Sequence, residues 1–203
     1  LRINEYGGIG ARSHGGAQVI RENNRPAVEY YSYGKSNYDF WLTHYTRNRK
    51  ETASWSLGDF ARPLLKYVDS KYPQGRFSYR FQQGCVQSAA NRLQISVHLS
   101  IAPECHEKLG AAKTVQLVYT LHAEGLKIEL CWIDKPANRL TESTVFRLYP
   151  ACTQEEIRYH KIDTEVDPMT VVKNGNRNLS AVWDMHFGSY RFVNHHAALI
   201  GLG

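Results

Sequence analysis

Leu93, Ile95, Val97, Leu99 and Ile101 alternate with Gln94, Ser96, His98 and Ser100. Successive side chains of an extended chain point to opposite faces, so this run predicts a strand with one buried and one wet face. Val115, Leu117, Tyr119 and Leu121 repeat the pattern, Glu124-Gly125 gives a hairpin signal, and Leu126, Ile128, Leu130 and Trp132 carry the alternation into the next strand. Shorter alternations run through Phe77, Tyr79 and Phe81 and through Thr144, Phe146 and Leu148. Apolar runs at 157–162, 179–187 and 190–193, the last two joined by Gly188-Ser189 as a tight turn, extend the β pattern toward the C-terminus.

One stretch has a different period. Ser36 is placed to cap a short helix over residues 36–49, in which Phe40, Trp41, His44 and Tyr45 recur at helical steps. Arg47, Arg49 and Lys50 follow, where cations favour the negative end of the helix dipole. Pro63, inside Leu57–Tyr67, argues for a loop or a short helical turn. No repeat or low-complexity linker divides the chain. The expectation is one mainly β domain over residues 1–203, an antiparallel β-sandwich in which packed sheets each bury one face.

Composition narrows this reading. With 203 residues and 42% hydrophobic positions, the chain can bury a sizeable core. It begins at Leu1, contains neither a signal-like apolar run nor a stretch long enough to span a bilayer, and is read as a mature or excised piece of something longer. The formal charge of +6 raises the question of nucleic acid, but the basic residues are scattered and no nucleic-acid motif is present. Neither nucleic acid nor membrane is an expected partner. Cys85, Cys105, Cys131 and Cys152 form no Cys-x-x-Cys pair, which argues against structural zinc. They permit disulfides without requiring them and leave the compartment open, with an extracytoplasmic or secreted location favoured. Cys131, inside a strand pattern, reads as a small buried hydrophobe.

The chemistry concentrates between Ile128 and Tyr149. Trp132, Asp134, Lys135, Asn138, Arg139 and Glu142 put an aromatic ring beside acids, bases and an amide. Sugar-handling surfaces use that mixture, because a pyranose offers an apolar C–H face and a rim of hydroxyls. Each residue also has a structural reading. Trp132 is in phase with Leu126, Ile128 and Leu130, as a core or sheet-edge aromatic would be; Asp134 and Arg139 could pair across the Lys135-Pro136 bend. Trp41 and Trp183 are read as structural aromatics in the same way. Trp55, in a polar loop with no alternation to explain it, and His44 are further candidates for substrate contact.

If the strands near 92–101, 113–122 and 126–134 are neighbours, their wet faces present Gln94, Ser96, His98, Gln116, Thr120 and Glu129. These are mostly neutral hydrogen-bonding groups, suited to a polyhydroxylated ligand, to another domain, or simply to solvent. His195-His196 would point to opposite faces of a strand and cannot share one metal without a bulge. Cys105-His106, flanked by Glu104 and Glu107, lacks a nearby group to orient a thiolate–imidazole pair. No metal ligand is assigned.

The motif Trp132-x-Asp134-Lys135-Pro136-Ala137-x-Arg139-Leu140, followed by Glu142 and a second strand, resembles the C-terminal β domain of α-mannosidase-like glycoside hydrolases, nearest to an uncharacterised branch related to glycoside hydrolase family 38. LRINEYGGIGAR at the start resembles the Gly-Gly-Ile turn opening that domain; YYSYGKSNYDFWLTHYTR resembles its tyrosine-rich strand and short helix; NLSAVWDMHFGSYRF resembles its closing hairpin. Thr141 stands where the family pattern usually has proline. The resemblance implies a supersandwich-like fold. It also implies an accessory role, in which the domain packs on a catalytic domain of the same polypeptide and supplies loop residues to the rim of a carbohydrate site. Catalytic acids and a divalent metal would lie in an N-terminal barrel that this chain lacks, leaving no cofactor here and no turnover by the chain alone. Two alternatives stay open. One is an autonomous carbohydrate-binding module; the other is a self-contained hydrolase using Asp134 and Glu142 as its carboxyl pair. An accessory domain should expose an apolar patch when alone.

Overall fold

The computed structural model describes residues 1–44, 74–171 and 179–202. The chain is mainly β, with several antiparallel sheets in a β-sandwich-like arrangement, and two α-helices among the described residues. No helix among them is long and apolar enough to cross a membrane. Backbone contacts separate two compact units: unit 1 comprises Leu1–Arg2, Gly10–Asn23 and Leu148–Gly203, and unit 2 comprises Ile3–Ile9 and Asn24–Arg147. No Pro/Gly-rich linker marks the crossings, so composition gave no sign of this division.

Unit 2 is built on a four-stranded sheet of β6 (Arg80–Ala89), β7 (Arg92–Ser100), β8 (Thr114–His122) and β9 (Gly125–Ile133), in that order. The register sets Phe81, Leu99, Val115 and Trp132 in one row across the sheet, and Val86, Ile95, Tyr119 and Ile128 in a parallel row on the same face. Burial follows the central columns: Val97, Leu99, Val115, Leu117 and Tyr119 are buried, whereas the edge strands leave Phe81, Val86 and Trp132 exposed. The alternation seen in sequence is therefore real, and its depth is set by position across the sheet. The opposite face carries Gln94, Ser96, His98, Gln116, Thr120 and Glu129 in the expected phase, but Thr120, expected in solvent, is buried. Cys131 also lies on that face and is exposed, contrary to the buried reading, because Trp132 takes the apolar phase.

Phe77, Tyr79 and Phe81 do not form one strand. β5 (Gly75–Ser78) joins β4 (Val28–Ser32) and β10 (Glu142–Phe146) in a three-stranded sheet of order β10-β4-β5, and β6 belongs to the other sheet. Tyr79 is the corner between them, fully buried, with its hydroxyl donating to the Ala112 carbonyl at 2.8 Å. Changing sheets at a bend is one way a sandwich turns a corner. The Gly7-Gly8 turn lies against the central columns. Tyr119 donates to the Gly7 carbonyl at 2.9 Å, Gly7 has φ of +72°, and a Cβ there would meet Leu99 Cδ2 at 2.5 Å. Only glycine satisfies both the backbone angle and the close approach.

α1 spans Lys35–His44; the remainder of the expected helix lies outside the described residues. Ser36 sits inside it and donates to Gln74 Oε1, while Asn37 Oδ1 accepts the Gly34 N–H at 3.1 Å. Ser36 is thus no cap, because the first helical turn begins one residue earlier. Among the described side chains of α1, Tyr38 is buried and Phe40 is exposed. α2 (Pro103–Leu109) has Pro at its start and Gly110 at φ +76° as its left-handed cap.

Unit 1 contains β11 (Ile157–Lys161), β12 (Thr164–Val166), β14 (Val182–Phe187) and β15 (Tyr190–Val193) in a sheet of order β12-β11-β14-β15. Its apolar face buries Ile157, Tyr159, Val182 and Met185, with Leu179 from the two-residue strand β13 (Leu179–Ser180). Gly188, at φ +60°, opens the two-residue β14–β15 turn, as the sequence predicts. Trp183 on β14 is 63% exposed and forms no part of that core.

Candidate functional site

The 132–142 segment starts as the end of β9 and returns as β10, and its geometry is set by what Glu142 accepts. Lys135 Nζ lies 2.6 Å from Glu142 Oε1, and Oε2 accepts from Tyr30 at 2.6 Å and from Asn138 at 3.0 Å. Asn138 also donates to the Leu109 carbonyl at 3.2 Å and accepts the Leu140 N–H at 2.7 Å. The Tyr30 hydroxyl stands 2.6 Å from that same carbonyl. The segment is therefore fastened to the last turn of α2, where helix carbonyls lack partners of their own. Burial, then Glu142, pushes the Tyr30 hydroxyl well above its ordinary range, so it remains a donor.

Glu142 is thus occupied on both oxygens by structural donors, which suits a residue that positions the segment more than one that handles substrate. Thr141, at the family's proline position, continues the ladder by accepting the Tyr33 N–H through its carbonyl at 3.0 Å, a role proline can also perform. Asp134 has positive φ and a carboxylate that is 62% exposed, 3.9 Å from His106 Nε2. Trp132 is 59% exposed at the sheet edge, and Arg139 is also exposed. His44 is exposed but lies on α1, its ring stacked on Phe40 with centroids 4.0 Å apart and Nδ1 2.8 Å from the Phe40 carbonyl. Trp55 lies outside the described residues, as does the side chain of Trp41.

Cys105-His106 holds no thiolate site. Cys105 is buried; burial, then Glu104, pushes its thiol up, and His106 Nδ1 instead faces the Ala111 carbonyl at 2.8 Å. All four cysteines are free thiols.

Sequence reasoning missed a buried charge cluster. Glu29 on β4 is 1% exposed and is met by Arg76 from β5 and by Arg147 beyond β10, whose Nε lies 2.6 Å from Oε2. Arg147 also donates to Tyr31 at 2.7 Å. Burial pushes the Glu29 carboxyl up, but the hydrogen bonds and charges of the two guanidiniums outweigh it and hold the group below the ordinary carboxylate range. The cross-strand pairing that builds this cluster joins positions 47 and 118 residues apart, with no local signal. Beside it, an open cleft of about 590 Å³ is lined by Arg76, Arg80, Gln82, Ser100 and Cys105 among others, and by none of the residues named from sequence for substrate contact. Arg80 there lies over the Tyr6 ring at 5.3 Å.

In unit 1, His160, Glu165 and His186 form the group of metal-ligating side chains found among the described residues, with ligand atoms within 4.8 Å of one another. The sequence signal was available in part: Ile157 and Tyr159 face inward, so Arg158 and His160 face outward.

These features define a mainly β, sandwich-like protein with a polar loop stapled to a short helix. Compared with protein-family models, curated proteins and solved structures, the chain matches none.

Proposed function

We propose that the chain is a β-sandwich accessory domain of a mannosidase-like glycoside hydrolase, packing on a catalytic domain of the same polypeptide. One observation carries this reading: in the row Phe81, Leu99, Val115, Trp132 the two central residues are fully buried, while the outer two are 44% and 59% exposed. Val86, on the same face, is 65% exposed. Large apolar side chains left in water along both edges of one sheet face are what a domain presents where a further protein surface covers it. The engagement of both Glu142 oxygens supports a non-catalytic role, since a glycosidase acid must reach the glycosidic oxygen. In this reading the catalytic acids and any divalent metal that cleaves the sugar belong to the catalytic domain, and Trp132, Asp134 and Arg139 contribute to its rim.

A second reading, an autonomous carbohydrate-binding module, is favoured by the exposure of both the Trp132 ring and, two residues on, the Asp134 carboxylate, an apolar group and a polar one offered to solvent. One experiment separates them. The chain is presented to a glycan array and to nitrophenyl glycosides in the same buffer. The accessory domain predicts neither binding nor turnover. Saturable binding abolished by Trp132→Ala would establish the module, and turnover abolished by Glu142→Gln would overturn both readings in favour of a self-contained hydrolase.

A further inference from the structure

The polar face of the unit 1 sheet gathers side chains from three strands. His160 on β11 pairs across the ladder with Glu165 on β12 and with Asp184 on β14, and His186 on β14 pairs with Arg158 on β11. His160 Nε2 lies 3.3 Å from Glu165 Oε2, and the two imidazole rings are tilted against each other with centroids 5.2 Å apart. The His160 Nε2 atom is sealed from solvent yet has no hydrogen-bond partner, because its direction misses the nearby carboxylate. Asp184 Oδ1 is likewise sealed and unpartnered, 4.0 Å from His186 Nε2. Two sealed polar atoms left unsatisfied on one cross-strand pair are costly and call for an absent partner.

We propose that His160, Glu165 and His186 bind one divalent transition-metal ion, with Asp184 as the carboxylate that orients the His186 ring. Two imidazoles and one carboxylate suit zinc and its neighbours in the first transition row, whereas magnesium and calcium prefer all-oxygen sites. Zinc bonds of about 2.1 Å place tetrahedral ligands about 3.4 Å apart. The His160–Glu165 separation already meets that, and His186 closes the remaining distance by rotating its side chain. The charges allow it. Arg191 neutralises Asp184 through Oδ2 at 2.6 Å, and Arg158 reaches Glu165 Oε1 only at 3.9 Å, leaving Oε2 for the ion. The site is held in register by the two-residue turn Ile162-Asp163, whose residues both have positive φ. Three protein ligands leave a coordination position open for water or an oxygen of a ligand. This site stands independently of the accessory-domain reading.

The test uses the full chain without an affinity tag, stripped with chelator and titrated with Zn²⁺ by calorimetry. The expected result is saturable binding of one ion per chain, weakened at least tenfold by each of His160→Gln, Glu165→Gln and His186→Gln. Replacing His195 and His196 together by alanine should leave it unchanged. Binding that is absent, or that survives any of the three substitutions undiminished, overturns the proposal. Should a variant not fold, the wild-type and His195/His196 proteins loaded with Cu²⁺ decide the matter by electron paramagnetic resonance. Two imidazole nitrogens on copper in both proteins uphold the site, and fewer in either overturn it.

Discussion

Arg147 Nε lies 2.6 Å from Glu29 Oε2, joining the strand after Arg25-Pro26 to the end of β10 through a carboxylate that is 1% exposed. Removing one member of a buried ion pair leaves the other uncompensated, at about 3–5 kcal/mol. Arg76, with a side chain that is 55% exposed, shares the charge and contributes less. Arg147→Met should therefore destabilise the fold by about 3 kcal/mol and Arg76→Met by less than 1 kcal/mol, as read from urea unfolding.

The same carboxylate makes stability depend on pH with a definite sign. The folded state holds Glu29 below its ordinary value of 4.5, so the unfolded chain binds its proton first as pH falls. The stabilisation is fully present above about pH 4.5 and is lost as the pH drops through the folded-state value. Urea midpoints of wild type and Glu29→Gln should differ most near pH 7 and converge as the pH falls below 4.5. A difference independent of pH would show that Glu29 does not carry it.

Tyr30 and Glu142, 112 residues apart, should behave as one unit. Tyr30→Phe removes the hydroxyl that faces both Glu142 and the Leu109 carbonyl, and Glu142→Gln removes the ion pair to Lys135. Each should cost about 1–3 kcal/mol. The double variant should cost less than the sum, because the second change removes a contact already lost. A strictly additive cycle, measured by chemical denaturation, would mean that the two do not share an interaction.

How much of this was legible follows from how local each determinant is. The β7 and β8 alternation was readable because both strands are central and bury the middle of one face, Val97, Leu99, Val115, Leu117 and Tyr119. β6, with the sequence RFQQGCVQSA, was not readable beyond Phe81: it is an edge strand, exposed along its length, and a bulge between Phe81 and Gln83 breaks the period. α2 passed unrecognised although Pro103 and Gly110 bracket it, because seven residues give hardly two turns of periodicity. The 132–142 segment was found as a concentration of polar chemistry, but its purpose depends on Tyr30 and Leu109, which only the fold brings near. The same holds for His160, Glu165 and His186, on three different strands.

Glycine substitutions should separate close approach from backbone angle. Gly7→Ala meets both Leu99 and Val97 side chains below 3 Å and needs φ of +72°, so a loss of more than 2 kcal/mol is expected. Gly16, at φ +83° in the turn between β2 (Ile9–His14) and β3 (Ala17–Ile20), has open space around it. Gly16→Ala should cost only about 1–2 kcal/mol, the penalty of the left-handed backbone alone. Equal losses in thermal unfolding would mean that packing at Gly7 is slack.

The exposed sheet edges give the prediction closest to function. Trp132 and Val86 bury little of their surface within this chain, so Trp132→Ser and Val86→Thr should change unfolding free energy by no more than about 0.5 kcal/mol. Their effect should be on association. If these strips are surfaces that another domain covers, the chain alone should self-associate at high concentration, and the double substitution should reduce that association. Sedimentation velocity over a concentration series reads this directly. A monomer whose behaviour is unaltered by the substitutions would remove the apolar strips as support for an accessory role, whereas a large loss of stability would show that Trp132 packs as part of the core.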